Sequence, residues 1–348
     1  MRYNRVCIEA LGYHLPENVV TSEELENRMA PLYRRLKLPF GRLEMMSGIH
    51  ERRFWDKGIF PSAVASVAGE RAIENSGIGR SDIQCLISAS VCRDFLEPAT
   101  ASVIHHNLKL PGHCQVFDIS NACLGVLNGM VHIANMIEMG QIRAGLAVAG
   151  ENGGPLVHHT IENLLSRTNI TRSEIKTSFA SLTIGSAAVA VLLTHEDLSR
   201  SGHRLLGGIS LAATQFNGLC RGNQDSGAHS DWSPLMETDA ENLMKEGCQL
   251  AGETWKAARA LLNWENKEVD RVFCHQVGQN HRKLLYQTLG LDVAKDFSTL
   301  EFLGNTGAAS LPVTLAIGAE RNAVRKGDKA ALLGIGSGLN SLMLGLQW

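Results

Sequence analysis

A helix, a short polar break and an apolar strand occur twice in this chain, in the same order and at nearly the same length. The first copy is GERAIENSGIGRSDIQCLISAS, from residue 69; the second is WKAARALLNWENKEVDRVFCHQV, from residue 255. The pairing continues downstream, where AGLAVAG, ending at residue 150, resembles KAALLGIG, ending at residue 336. A duplicated α/β half is the economical explanation. The join is expected near residue 200, in the polar stretch HEDLSRSGHR, giving an N-terminal half over 1–200 and a C-terminal half over 201–348. No low-complexity segment or flexible linker separates the halves, so they are expected to pack as one body. The first half is longer, which places insertions between residues 91 and 114 and between 151 and 179.

Six short runs have strand length and few polar residues: Gln84–Ser90, Gln115–Ser120, Gly145–Gly150, Ala187–Thr194, Arg271–Val277 and Lys329–Ile335. Runs of that kind, alternating with helical stretches, predict an α/β protein with largely buried sheets. The balance of 44% hydrophobic and 20% charged residues is that of an ordinary globular chain. Lys+Arg number 33 against 35 Asp+Glu, and no basic block recommends nucleic acid or an anionic membrane surface. The opening MRYNRVCIEALGYHLPENVV lacks a continuous apolar core for export. The longest apolar run, Ala180–Leu193, is broken by Ser181, Thr183 and Ser186 and reads as a buried element rather than a membrane span. Eight cysteines are spread without CxxC pairs, so zinc and a disulfide framework are both poor readings. A cytoplasmic protein with reduced thiols is expected.

One cysteine stands apart. In FDISNACLGVLNGMVHIANMIEMG an apolar strand ends at Asp118–Ser120, a tight turn follows, and a helix begins around Cys123. Leu124, Leu127, Val131 and Ala134 give its buried face, and Gly140 its stop. The positive end of a helix and its unpaired N–H groups favour the reactive thiolate. A small buried residue at a strand–helix junction would look the same. His275 closes the run RVFCHQV, a place where α/β proteins put groups that face a crevice, although a strand-end His is more often structural. Asn305 lies in FLGNTGAASLPVTLAIG between Gly304 and Gly307, where an Asn usually serves the turn itself. GIGSGLN, from Gly334 to Asn340, invites a nucleotide-loop reading that fails, because only eight residues remain to form the helix such a loop must open. A glycine bend whose N–H groups face a site is the better account.

The conjunction of these features resembles the thiolase superfamily, and within it the ketoacyl synthase III type with its Cys-His-Asn triad. SVCRDFLEPATAS, FDISNACLGVLNGM, CRGN, HQVGQNH and ALLGIGSGLN are most similar to the acyl-CoA condensing enzymes of bacterial long-chain olefin biosynthesis. The resemblance covers essentially the whole chain. It implies a thiolase-like fold of two duplicated α/β halves in a five-layer αβαβα arrangement. It also implies Cys123 as nucleophile, His275 and Asn305 as the pair that stabilises an enolate, and the backbone N–H groups of Cys123 and Ser337 as an oxyanion hole. Glu97, in RDFLEP, matches a carboxylate found in the olefin enzymes and absent from ordinary synthase III sequences; without that match it would be a solvated turn residue. The resemblance further implies coenzyme A thioesters as substrates with no other cofactor, no metal, and a homodimer in which Glu97 acts across the interface. Downstream pathway enzymes are further partners it suggests.

The chemistry suits the residue types. A thiolate attacks a thioester well, and an acyl-enzyme divides one hard condensation into two easier steps. Two plain acyl-CoAs can be joined only if a base removes an α-proton, and Glu97 is the candidate. The leading expectation is therefore non-decarboxylative, head-to-head Claisen condensation of two fatty acyl-CoAs to a 2-alkyl-3-ketoacyl product. The alternative is a decarboxylative 3-oxoacyl-[acyl-carrier-protein] synthase III, which draws its carbanion from a malonyl thioester and needs no base. A non-catalytic acyl-binding scaffold is a third reading, disfavoured by the intact Cys123, His275 and Asn305 set.

Overall fold

The computed structural model describes residues 1–222, 235–275 and 277–348; Asn223 of the CRGN segment and Gln276 of the HQV segment lie outside them. The first half runs β1 (Val6–His14), β2 (Asn18–Thr21), α1 (Ser22–Arg28), α2 (Ala30–Leu36), α3 (Arg42–Ser47), β3 (Glu51–Phe54), α4 (Pro61–Ser76), β4 (Cys85–Ser88) and α5 (Thr100–Asn107). It continues with β5 (Gln115–Asp118), α6 (Gly125–Glu138), β6 (Ala144–Glu151), α7 (Gly154–Ser166), α8 (Arg172–Ser178) and β7 (Ala187–His195). The second runs β8 (Arg204–Ala212), β9 (Cys220–Gly222), β10 (Met236–Thr238), α9 (Ala240–Leu262) and β11 (Arg271–Cys274). Then come α10 (Gln279–Leu289), α11 (Leu300–Leu303), α12 (Ser310–Glu320), β12 (Lys329–Gly336) and β13 (Asn340–Gln347).

Nine strands share one hydrogen-bonded order, β11-β12-β13-β8-β1-β7-β6-β4-β5. The duplication is plain in it. β4 lies parallel to β6, β6 antiparallel to β7, and β7 antiparallel to β1. In the second half β11 lies parallel to β12, β12 antiparallel to β13, and β13 antiparallel to β8. Between the halves, β1 meets β8 at Cys7 with Arg204, and the chain ahead of β1 adds a bridge of Arg2 with Gly207. Among the described residues, only the first half adds a further outer strand to this order, β5, parallel to β4. We propose residue 200, between β7 and β8, as the boundary between the halves.

Side chains alternate along each strand, so the two faces of each half-sheet can be followed into different cores. Ile87, Ala147, Val189 and Val191 of the first half, and Phe273, Leu332, Leu342 and Leu344 of the second, all join the core around α6 and α12. Leu86, Leu146, Val148 and Ala190 face the other way, onto α4 and the region of α5. Val272, Leu333 and Met343 do the same for α9 and α10. The result is five layers, with α6 and α12 buried between the half-sheets. Sequence explains that burial: Leu311, Val313, Leu315 and Ile317 make α12 apolar all round, as a central helix must be. By contrast α9, whose Asp239 side chain caps Asn242 N–H, keeps one buried face and one wet one.

A smaller cap built from α1, α2, α3 and α7 sits on the first half with its own core of Leu25, Met29, Leu32, Leu43, Val157 and Leu164. The stretches 91–114 and 151–179, expected as insertions, hold α5 and most of the α7–α8 region. The apolar run 271–277 forms a strand only to Cys274, after which the chain turns into α10. Among the described residues, no helix is long and apolar enough to cross a membrane.

Candidate active site

Both central helices are entered through a tight 3-10 turn, Ala122–Leu124 before α6 and Gly307–Ala309 before α12, and the two turns are in contact. Cys123 is in the first. The preceding Ala122 has φ +44°, a left-handed conformation that a non-glycine residue adopts only at a cost. Asn121 anchors the turn: its Nδ2 donates to Asn128 Oδ1 at 2.8 Å, and its Oδ1 accepts from Asn340 Nδ2 at 3.3 Å. Asn340 Nδ2 also donates to the carbonyl of Ser337, at 3.4 Å. One amide thus ties the turn of Cys123 to the bend after β12. The contact is close, because a Cβ added to Gly336 would lie 3.0 Å from Leu124 Cγ.

Asn305 precedes the second turn and is buried, 7% exposed. Its N–H donates to Thr183 O and its carbonyl accepts from Gly185 N–H, both at 2.9 Å, which stitches it to the entry of β7. Its Oδ1 accepts from Gly307 N–H at 3.1 Å, leaving the two Nδ2 hydrogens as donors. His275 follows β11, at the same end of the sheet as Gly336 and Ser337, and its N–H donates to Leu333 O at 3.0 Å. Its side chain is buried, and among the described residues Nδ1 has no hydrogen-bond partner.

These groups are neutral. Burial, reinforced by nearby His281, pushes the His275 imidazole down to about 3. Burial also lowers His281, to about 4. The Cys123 thiol is pushed up to about 12, first by burial, then by the neighbouring Cys220 and Glu151. The helix-start position favours a thiolate, but low polarity and a nearby carboxylate outweigh it here. A neutral thiol beside neutral donors stabilises charge only where charge develops during reaction, which is what a condensing site requires.

The structure therefore brings Cys123, Asn305 and Ser337 together, with His275 buried at the same sheet end. Glu97 is elsewhere: it is exposed, in the loop between β4 and α5. Three neighbours were not legible as site residues in the sequence. Glu151, buried at the end of β6, and Cys220, at the start of β9, both act on the Cys123 thiol, and His281 acts on His275. An acid closing the apolar run AGLAVAGE was the one available signal for Glu151. No group of three His, Cys, Asp or Glu among the described residues could hold a metal ion.

Residues 260–348 match the family model for the C-terminal part of 3-oxoacyl-[acyl-carrier-protein] synthase III. The whole chain is 44% identical over 351 residues to the acyl-CoA:acyl-CoA alkyltransferase of Shewanella oneidensis, with 100% of each covered. It is 38% identical over 348 residues to that of Xanthomonas campestris, again with 100% of each covered. Cerulenin-bound OleA from Xanthomonas campestris superposes with a TM-score of 0.94 at 37% identity, covering 100% of this chain and 98% of that one.

Proposed function

Because this chain belongs to the acyl-CoA:acyl-CoA alkyltransferases of the thiolase superfamily, we propose that it joins two fatty acyl-CoAs head to head on Cys123. The observation that carries this reading is the convergence of the Cys123 turn, the Asn305 turn and the Ser337 bend at the centre of a duplicated thiolase-like frame.

In the first half-reaction Cys123 Sγ attacks the thioester carbonyl. The N–H groups of Cys123 and Ser337 receive the oxyanion, and coenzyme A leaves as the free thiol, taking up the proton that the cysteine gives. In the second, a base removes the α-proton of the second acyl-CoA. The imidazole of His275 and Nδ2 of Asn305 donate to the enolate oxygen, where new charge appears in a water-poor site. The enolate carbon then bonds to the acyl carbon, the Cys123–acyl bond breaks, and the thiolate recovers a proton from the protonated base. The product is a 2-alkyl-3-ketoacyl-CoA.

Glu97 is the base, acting from the partner subunit of a homodimer. Its exposure in the single chain supports this, as does its setting. Leu96 is 63% exposed, Val91 50% and Val116 38%, apolar side chains of that loop and of β5 left in water. Asp118, closing β5, accepts from Thr100 N–H at 2.9 Å and Ala101 N–H at 2.8 Å, which fixes the Glu97 loop to that edge strand. An edge strand with apolar residues beside it is the surface on which a second copy can pair. A cytoplasmic enzyme supplying a hydrocarbon pathway completes the reading.

Purified protein incubated with saturated acyl-CoAs tests it, with and without malonyl-CoA. Mass spectrometry should find an acyl adduct on Cys123 and a ketoacyl product in both mixtures. Product only when malonyl-CoA is present would replace this reading with the decarboxylative one.

A further inference from the structure

Glu151 ends β6 with its side chain buried, 3% exposed. Its Oε1 accepts from Val91 N–H at 2.8 Å and Ala308 N–H at 3.1 Å, and its Oε2 from Cys92 N–H at 3.3 Å. Its own carbonyl accepts from Trp55 Nε1–H at 3.0 Å, so the β6 end cannot drift. Gly307, at φ +58°, presses on it: an added Cβ there would stand 3.1 Å from Glu151 Cδ.

The donors belong to two separate segments, an irregular loop at Val91 and Cys92 and the 3-10 turn at Ala308. Val91 and Cys92 open the loop that leads to Glu97, while Ala308 is three residues beyond Asn305. One carboxylate binds both. Each oxygen accepts N–H groups, the arrangement that suits an ionised acid, since a protonated one would have to donate its O–H. Burial raises this carboxyl above its ordinary range, and the Val91, Cys92 and Ala308 donors oppose that rise without cancelling it. Folding alone does not demand the acid: at the end of β12, the counterpart of β6, the chain proceeds through the neutral Ser337. A buried carboxylate costs several kcal/mol unless its partners offset it, so an acid placed here is doing more than closing a strand.

We propose that Glu151 is a positioning residue for the condensation step, an anionic strut that fixes the Glu97 loop and the Asn305 turn in one register beside Cys123. This inference rests on the proposed function and extends it. The titratable groups around the strut are few: the Cys92 thiol beside Glu151, and Cys220 with Glu151 beside Cys123.

The test uses full-length Glu151→Gln and Glu151→Asp, with acyl-Cys123 formation, ketoacyl product and the pH dependence of Cys123 alkylation by iodoacetamide all measured. Glu151→Gln should form acyl-Cys123 at close to the wild-type rate but lose condensation by at least about tenfold, the scale of a small misplacement of reacting groups. Its alkylation limb should move to lower pH, because a negative charge beside the thiol is gone. Glu151→Asp keeps the charge and shortens the strut, so its limb should stay in place while condensation falls. Wild-type condensation in Glu151→Gln would overturn the inference, as would a parallel loss of both half-reactions with an unmoved limb. If thermal unfolding shows that Glu151→Gln does not fold, the same split in Glu151→Asp decides. A wild type unable to acylate Cys123 overturns the proposed function itself, whereas a competent wild type with an unaltered Glu151→Gln overturns this inference alone.

Discussion

Matching 3-10 turns open the two central helices: Cys123 is in the one before α6, and Asn305 lies just ahead of the one before α12. The ends of β6 and β12 match likewise, bearing Glu151 in one half and leading into Ser337 in the other. Around these equivalent points the halves are finished differently. The first has an extra edge strand, an exposed loop with Glu97, and apolar side chains in water. The second ends at β11, the opposite edge of the strand order. Behind His275, Asp296 accepts from Arg282 Nε at 2.5 Å, Tyr286 OH at 2.7 Å and Cys274 Sγ at 3.7 Å, and its carboxylate is fully buried. Duplication supplied two helix starts facing each other. On the proposed roles, one half bears the nucleophile and an outward-facing base, and the other a set of neutral donors.

The comparison breaks most sharply at Cys123. Cys123→Ala should fold, since it removes one sulfur atom, yet show no acyl adduct by intact-mass spectrometry; an adduct that persists would move the nucleophile elsewhere. Next comes the base. Glu97→Gln should still acylate Cys123 but lose condensation by roughly 10²- to 10⁴-fold, the usual contribution of general acid–base catalysis. Glu97→Asp should keep a little activity. Asn305→Ala belongs to the donor half and should lose condensation by on the order of 10²-fold with acylation preserved, as for an oxyanion donor. Equal damage to both steps would make Asn305 a structural residue.

Two smaller effects concern the rigidity of the second half. Asp296→Asn leaves Arg282 without its counter-charge. It should cost about 2–3 kcal/mol in denaturant unfolding, less than a fully buried pair because Arg282 keeps 30% of its side chain exposed. Acylation of Cys123 by the folded variant should be unchanged. The last is a pH effect. His275 is held neutral, near 3 against an ordinary 6.5, so the unfolded chain binds a proton between those values that the folded one refuses. Stability therefore falls as pH drops through that window, by at most about 1.4 kcal/mol per pH unit for this residue. The unfolding free energies of wild type and His275→Gln should converge on going from pH 7 to pH 5. A constant gap would mean that His275 is not buried neutral.

Much of the frame was written locally. Apolar runs of strand length mark β4, β6, β7 and β12 because both faces of those strands are covered, and the paired α4–β4 and α9–β11 segments betray the duplication. Cys123 was singled out by its helix start and Asn305 by its glycine-bracketed turn, whereas the role of Ser337 came only with the family resemblance. Glu151 and Cys220 were not singled out, since nothing near them in sequence shows that folding carries them to Cys123. The state of the Cys123 thiol also turned on packing: a helix start could be read from FDISNACLG, but the burial that outweighs it could not. The strand expected through Val277 stopped at Cys274, where the chain leaves the sheet for α10.

If one subunit's Cys123 works with the partner's Glu97, as proposed, subunit exchange between two inactive variants must restore activity. Cys123→Ala and Glu97→Gln dimers, each inactive alone, are mixed under conditions that let protomers exchange, and condensation of saturated acyl-CoAs is followed. A mixed dimer holds one complete site, with Cys123 from one chain and Glu97 from the other. Random exchange makes half of the dimers mixed, so activity should recover to about a quarter of wild type. If both groups served within one chain, no mixed dimer would hold a complete site, and the mixture would stay as inactive as its parts.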